Sequence, residues 1–246
     1  IILADHVTAK GASGYAASSV TSDVTLVSDA DVTSFAVGNS IAKTVTVTYT
    51  APAASGTGQN MPFTDVSTGD WYYGSVYGAW KNKLISGASE TLYKPNNTLT
   101  VAETVKLSAA LHQLQNNGQV TLTNGTPWYS TYVAYAVEHG IIEKEYLDYT
   151  PAQMHAPASR TEFVHIFFGA MNDYEVLNDI ADDQIPDVKM GDKYASEIYT
   201  FYRAGILTGS GSSGVFNPSS TIKRSEAAAI LNRMFDASTR KSFTLS

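Results

Sequence analysis

Apolar residues recur at intervals of three and four after about residue 60, and this spacing predicts amphipathic helices. Three of the segments end on an aliphatic residue, namely Leu84, Ile141 or Ile206. Further apolar residues stand eight, five and four positions before each of them: Val76, Ala79 and Trp80; Val133, Ala136 and Val137; Ile198, Phe201 and Tyr202. Each set therefore lies on one face of a predicted helix.

Each of these helices is followed by a second one with its own start signal. The starts are Thr100-Val-Ala-Glu103, Ser159-Arg-Thr-Glu162 and Lys223-Arg-Ser-Glu226. A Thr or Ser three residues before a Glu is a capping box, which the first two starts have intact, whereas the third has Lys223 at the cap. Apolar stripes follow the second and third starts: Phe163, Ile166, Phe167 and Ala170; Ala227, Ile230, Leu231 and Met234.

The sequence thus predicts three helix–loop–helix repeats, at about 61–118, 126–175 and 183–236. A single helix pair cannot bury both of its stripes, so we expect the three pairs to share one core.

The first 50 residues show the alternation of strands instead. Residues 43–50 alternate β-branched and hydroxyl side chains, and residues 24–27 and 34–37 are weaker strand candidates. We predict a β-rich segment over 1–50, a linker of small residues over 51–60 and a short tail over 237–246. Three interpretations of the β segment stay open: the end of a larger β domain, a module that pairs with another chain, or a small sheet packed on the next domain.

Composition removes several classes of function. The net charge is −7 with only 16 Lys and Arg, which argues against a nucleic-acid partner. Cysteine is absent, which excludes disulfides, zinc–thiolate sites and cysteine nucleophiles. No apolar run has the length of a membrane span, and no metal, phosphate-loop or serine-hydrolase motif is present. We therefore expect no cofactor, no metal site and no membrane span.

The repeats resemble surface-layer homology (SLH) domains, which bacteria use to hold proteins on the cell wall. The resemblance covers about residues 61–236 and rests on the three helix starts and on three further landmarks: an opening Phe63-Thr-Asp65-Val66 followed by Trp71, an exit Gly205-Ile-Leu-Thr-Gly209 and a loop Phe216-Asn-Pro218. It implies a mainly α fold in which three repeats form a pseudo-threefold spindle. It also implies an extracellular location at the bacterial surface, and inter-repeat grooves that bind secondary cell-wall polysaccharide, often through a pyruvylated sugar.

The resemblance also implies a set of ligand-binding residues. The arginine of the family's helix start matches Arg160 and Arg224, whereas the first repeat has Val101, so one or two working grooves are expected. A guanidinium meets the carboxylate of a pyruvyl ketal with two parallel hydrogen bonds, and the free N–H groups of a helix start favour the same anion. The remaining candidates are aromatic residues, turn aspartates and exit glycines: Trp71, Trp128, Asp65, Asp187, Gly87, Gly140, Gly205 and Gly209.

Three functions compete at this point. The first is a non-covalent wall anchor that binds an anionic glycan and has no catalytic residues. The second is a structural subunit of a surface layer, in which the β segment joins other copies of the chain or surface-layer proteins. The third is an enzyme on wall sugars, which we disfavour because glycosidases need two carboxylates across a cleft, and Glu103, Glu162 and Glu226 are expected to serve as caps.

Overall fold

The computed structural model describes residues 61–171 and 174–245, together with the backbone of two strands at 16–22 and 45–50. The chain divides into two units, 1–60 and 61–246. In the first unit, β1 (Ala16–Ser22) pairs with β2 (Val45–Thr50) in antiparallel register. β2 lies within the alternating segment 43–50. The other strand candidates and the linker lie outside the described residues, so the β-rich segment stays a prediction.

The second unit is mainly helical, as predicted. Its α-helices are α1 (Tyr73–Lys81), α2 (Val101–Asn117), α3 (Ser130–Glu138), α4 (Pro151–Met154), α5 (Arg160–Phe168), α6 (Ala195–Arg203) and α7 (Arg224–Phe235). Two short 3-10 helices lie at Lys144–Asp148 and Ala237–Thr239. The predicted pairs are α1 with α2, α3 with α5 and α6 with α7. The loop of the second pair contains α4.

The helix pairs close into a ring. The first helix of each repeat packs on the second helix of the repeat before it, since α3 packs on α2 and α6 packs on α5. The ring closes because α1 packs on α7, which joins the first repeat to the third. In the middle, α2 contacts both α5 and α7.

A triangle of backbone hydrogen bonds lies where the second helices begin. The N–H of Leu99 donates to Ile222 (3.0 Å), that of Ile222 donates to Ala158 (3.3 Å), and that of Ala158 donates back to Leu99 (2.9 Å). All three residues are buried, and each directly precedes the cap residue of its helix. The triangle has approximate threefold symmetry, so each repeat is hydrogen-bonded to both of the others.

The predicted apolar stripes form the core. Phe163, Ile166 and Phe167 on α5 and Leu231 on α7 have no exposed surface. The terminal residues of the first helices (Leu84, Ile141 and Ile206) and the residues eight and five positions before each of them are also buried. These side chains belong to one continuous apolar cluster that receives residues from all three repeats.

The C-terminal residues pack on the third repeat. The N–H of Lys241 donates to the carbonyl of Gly205 (2.9 Å), and the N–H of Phe243 donates to the side chain of the buried Asn178 (2.9 Å). Phe243 and Leu245 lie against the core. The chain thus contributes to the packed unit as far as residue 245.

The caps differ among the three repeats. Thr100 forms a complete capping box, in which its hydroxyl accepts from the N–H of Glu103 (3.2 Å) and its own N–H donates to Glu103 Oε2 (2.9 Å). The hydroxyl of Ser159 accepts from the N–H of Glu162 (3.1 Å). Lys223 makes only the return bond, from its N–H to Glu226 Oε2 (2.8 Å), because an ammonium group cannot accept a hydrogen bond.

Removing the hydroxyl caps should destabilise the fold modestly. We expect Thr100→Ala and Ser159→Ala each to lower the free energy of unfolding by about 1 kcal/mol, because one helix N–H loses its acceptor. Lys223→Thr should raise it, since it supplies the missing acceptor. Urea denaturation followed by circular dichroism measures all three changes. Unchanged midpoints for all three variants would contradict the capping assignment.

No helix in the described ranges is both long enough and apolar enough to cross a membrane.

Candidate functional site

Arg224, one of the two predicted arginines, lies at the junction of the third and first repeats. Its Nε donates to the carbonyl of Tyr93 (2.9 Å), and its Nη2 donates to the carbonyl of Ser86 (3.0 Å). Its Nη1 lies 3.5 Å from Glu103 Oε1. The phenol of Tyr93 returns a hydrogen bond to the carbonyl of Arg224 (2.8 Å), and the guanidinium lies over the Tyr93 ring at 4.8 Å. The helix-start arginine therefore holds two repeats together.

A cavity of about 360 Å³ lies beside this arginine. Its wall includes Arg224, Glu103, Lys106, Trp128 and Gly87, so residues of all three repeats contribute. The two cations and one carboxylate make the charged lining net positive. The side chain of Arg224 is 14% exposed. It makes two of the five hydrogen bonds that a guanidinium can donate, and Nη1 forms the ion pair with Glu103. Two donors remain for a ligand. We call this the Arg224 cavity.

Arg160 repeats the same arrangement between the second and third repeats. Its Nε donates to the carbonyl of Phe216 (2.7 Å), and its Nη1 lies 3.2 Å from Glu226 Oε1. Its guanidinium lies over the Phe216 ring at 5.2 Å. Phe216 and Glu226 correspond to Tyr93 and Glu103 in the first repeat. The same contact thus occurs twice around the ring.

The predicted aspartates hold the turns that carry these aromatic residues. Asp65 accepts from the N–H groups of Tyr93 and Lys94 (both 2.8 Å). Asp187 accepts in the same way from Phe216 (2.8 Å) and Asn217 (2.6 Å). Both carboxylates are therefore engaged with backbone, and each is linked to an arginine through the aromatic residue.

The two predicted tryptophans occupy different surroundings. Trp128 is half-buried in the wall of the Arg224 cavity, and the Lys106 ammonium lies 5.6 Å from the centre of its ring. Trp71 is 67% exposed and contacts Tyr72 edge to face. The structure brings Arg224, Trp128 and Gly87 together and places Trp71 at the surface.

The predicted glycines have different steric roles. At Gly87, a Cβ would lie 2.6 Å from the Phe63 ring and 2.2 Å from a carbonyl oxygen, so only glycine fits there. Gly209 has a φ of +67° and the Tyr202 hydroxyl 2.5 Å from where a Cβ would lie. Gly140 and Gly205 also have positive φ, of 67° and 70°.

Tyr93 and Lys106 line the Arg224 cavity but were not among the predicted ligand-binding residues. Tyr93 lies under the guanidinium, and burial raises the pKa of its phenol far above the ordinary value against the opposing charge of Arg224. Lys106 lies on α2, and nothing in the sequence distinguishes it from an ordinary surface lysine. The available signal for Tyr93 was its position two residues before Pro95, which matches Phe216 before Pro218.

A buried histidine joins the second and third repeats. His165 on α5 lies 2.9 Å from Glu143 through Nε2 and 3.1 Å from Glu197 through Nδ1, and its ring stacks on Tyr194 at 3.6 Å. Burial by itself lowers the pKa of His165, but the hydrogen bonds and charges of Glu197 and Glu143 together raise it above the ordinary value. Burial raises the pKa of Glu143, but its contacts with His165 bring it below the ordinary value. The His165 ring thus bridges the two carboxylates.

Two segments of the chain match a known family model. Residues 62–104 and 184–228 each match the S-layer homology domain. The first match contains Asp65, Tyr93 and Glu103, and the second contains the corresponding Asp187, Phe216 and Glu226. The second repeat lies outside both matches. It has no Asp-Val opening, and its loop contains α4.

Two curated proteins are similar to the chain. Exoglucanase XynX of Acetivibrio thermocellus is 25% identical over 189 residues, which are 73% of this chain and 17% of that protein. Amylopullulanase of Thermoanaerobacterium thermosulfurigenes is 27% identical over 164 residues, which are 63% of this chain and 8% of that protein. The chain thus spans less than a fifth of the length of either relative.

SLH domains anchor proteins to cell-wall polysaccharide, and the proteins that contain them are attached to the bacterial cell surface. The first and third repeats of this chain thus match a non-catalytic, wall-anchoring domain of bacterial surface proteins.

Proposed function

We propose that residues 61–245 form a pseudo-threefold spindle of three SLH repeats that anchors the polypeptide non-covalently to the bacterial cell wall. Its ligand is an anionic secondary cell-wall polysaccharide, and the recognised unit is a pyruvylated sugar. The observation that carries this proposal is the Arg224 cavity, where a partly exposed guanidinium with free donors meets an ammonium group and an aromatic ring.

The cavity suits a sugar that carries one carboxylate. A charge-assisted pair between a guanidinium and a carboxylate is roughly twice as strong as a neutral hydrogen bond. Lys106 adds a second cation, and the half-buried Trp128 offers an apolar face to the C–H groups of a sugar ring. Low exposure of Arg224 keeps its attraction for the ligand less screened by salt than it would be at the open surface.

A ligand carboxylate in this cavity would compete with Glu103 for the Arg224 guanidinium. Its Oε1 lies 3.5 Å from Arg224, while its Oε2 is held by the cap of α2. A carboxylate bound in the cavity would share the guanidinium with Glu103. We therefore assign Glu103 a role in limiting the affinity, in addition to its role as a cap.

The proposal includes no catalytic activity. Glu103 and Glu226 accept hydrogen bonds at helix caps and pair with arginines, which leaves neither free to act as an acid or base. The enzymatic names of the two relatives belong to proteins far longer than this chain.

The assembly function remains the alternative. It depends on the N-terminal segment, where β1 and β2 form a two-stranded sheet and two strands alone are marginally stable. Gel filtration distinguishes the two functions, since a monomer supports the anchor and a concentration-dependent polymer supports assembly.

Removal of pyruvyl groups tests the anchor directly. We expect the full chain to co-sediment with purified wall polysaccharide and to lose this interaction after mild acid hydrolysis of the ketals, because the carboxylate that Arg224 pairs with is then absent. Polysaccharide carried through the same treatment at neutral pH is the matched control. Equal binding to both polymers would rule out the pyruvylated sugar as the recognised unit.

A further inference from the structure

A second groove lies at the one helix start that lacks an arginine. Three equivalent backbone bonds fix the correspondence: the N–H of Arg224 donates to Asn97 (2.9 Å), that of Arg160 to Ser220 (2.8 Å) and that of Val101 to Ala156 (3.0 Å). Each acceptor stands three residues before a helix cap. Val101 therefore occupies the place of the two arginines, and its side chain is buried.

The loss of the arginine leaves Glu162 without its counterpart. Glu103 and Glu226, at the same position of their helices, are ion-paired with Arg224 and Arg160. In the part of the chain that the structure describes, no cation lies within ion-pair distance of Glu162. Burial raises the pKa of Glu162, against the opposing charges of His165 and Lys193.

Glu162 lines a cavity of about 490 Å³ whose walls are rich in tyrosine. Tyr146 and Tyr149 stack on each other at 4.6 Å, and Tyr194 also lines the cavity. The Tyr194 ring is fixed by its stacking on His165. Tyrosines of this kind supply both an apolar face and a hydroxyl group, which is what sugar rings require. We call this cavity the Glu162 groove.

The Glu162 groove has the opposite charge to the Arg224 cavity. Its charged lining consists of Glu143, Glu145, Glu162 and Lys193. Glu143 is engaged with His165, so two carboxylates face one ammonium group. An anionic sugar is therefore disfavoured here, whereas a cationic one is attracted.

The geometry favours an organic cation over a metal ion. Among the described residues, no group of three or more His, Asp or Glu side chains converges closely enough to hold a metal. A tyrosine-lined groove with an unpaired, partly buried carboxylate instead fits a cation attached to a flat, partly apolar body. An amino sugar has both features, since its ammonium group can donate to the carboxylate while its C–H face covers an aromatic ring.

We propose that the Glu162 groove binds a sugar unit with a free amino group, so that the two grooves of one chain recognise sugars of opposite charge. The proposal rests on the proposed function, in that both grooves serve attachment to glycan. It adds that the repeat without an arginine is specialised for a different ligand. Glu162 accepts from the ammonium group, and Tyr149 is the half-buried aromatic platform.

Titration calorimetry with defined oligosaccharides tests the Glu162 groove. The probes are a glucosamine tetramer, its fully N-acetylated counterpart and a galacturonic acid tetramer. We expect the full chain to bind the glucosamine tetramer, and N-acetylation or Glu162→Gln to weaken that binding by about tenfold or more, because each removes a charge-assisted bond. Arg224→Ala should leave it unchanged.

A reciprocal variant sharpens the test. Val101→Arg restores the residue found in the other two repeats and should pair with Glu162, which would abolish binding of the glucosamine tetramer. Glu162→Gln keeps the experiment decisive if Val101→Arg does not fold, because Glu162 is partly exposed and the Ser159 hydroxyl still caps α5. No binding of the glucosamine tetramer, or binding that Glu162→Gln does not weaken, would overturn the proposal. Such a result leaves wall binding through Arg224 intact, so the two failures are distinguishable.

Discussion

Arg224→Ala should lower the affinity for pyruvylated wall polysaccharide by about 10- to 100-fold, which corresponds to the loss of a hydrogen bond to a charged group. The same change should also reduce stability by about 1–3 kcal/mol, since the carbonyls of Tyr93 and Ser86 lose their donors. Calorimetry at a temperature where the variant is fully folded measures the affinity, and urea denaturation measures the stability.

Arg160→Ala separates the effect on affinity from the effect on stability. Arg160 makes the same structural contacts with Phe216 and Glu226, so its removal should destabilise the fold by a similar amount. If Arg224→Ala and Arg160→Ala, both measured fully folded, bind the polymer as the wild type does, the arginines are structural and the Arg224 cavity does not bind the ligand.

Glu103→Gln should change the affinity for the polysaccharide in the opposite direction. An amide oxygen can still accept from the N–H of Thr100, whereas the negative charge beside Arg224 is lost. We expect the affinity for the pyruvylated polymer to rise, because the ligand carboxylate no longer shares the guanidinium with a like charge. A fall in affinity would contradict the electrostatic role assigned to Glu103.

The local elements of the fold were predictable from the sequence because each has a local signature. The apolar stripes of α5 and α7 have the helical period. Thr100 and Ser159, each three residues before a Glu, mark the starts of their helices. These signals depend on neighbours along the chain. They therefore fixed the order and approximate position of the helices.

The pairing between repeats was not predictable in the same way. The Leu99–Ala158–Ile222 triangle joins backbone groups that are 59 to 123 residues apart. Backbone groups carry no information about their partners in the sequence. The role of Arg224 in joining two repeats was not predictable for the same reason, since its partners Tyr93 and Ser86 belong to another repeat. The sequence thus identified the arginines without showing how they are held.

The candidate site was likewise predictable only in part from the sequence. Asp65 and Asp187 stood out in the sequence, yet their carboxylates lie within turns and reach the arginines only through Tyr93 and Phe216. The His165 cluster carried no sequence signal, because Glu143 and Glu197 are 22 and 32 residues away. Contacts of this kind depend on the closed ring, and a linear pattern does not contain them.

Closure of the ring predicts that the first repeat cannot be trimmed. Deletion of residues 61–94 leaves the sequences of α2 to α7 intact, yet we expect the remaining chain to lose cooperative unfolding. In a linear array of repeats, a terminal unit contributes one interface and its removal is tolerated. Here α1 covers α7, and the deleted segment includes the buried residues Phe63, Val66, Val76, Leu84, Ile85 and Tyr93.

The expected decrease in the free energy of unfolding supports a complete loss of the cooperative transition. At about 2 kcal/mol for each large apolar side chain, the deletion removes on the order of 10 kcal/mol, which is comparable with the whole stability of a typical domain, about 5–15 kcal/mol. Thermal and urea unfolding by circular dichroism measure it, with residues 61–246 as the control that should unfold in a single transition. Adding the peptide 61–94 in trans should restore that transition, because α1 docks on a surface that the other repeats supply. A cooperative transition in the deleted chain without the peptide would show that the ring contact between α1 and α7 is dispensable.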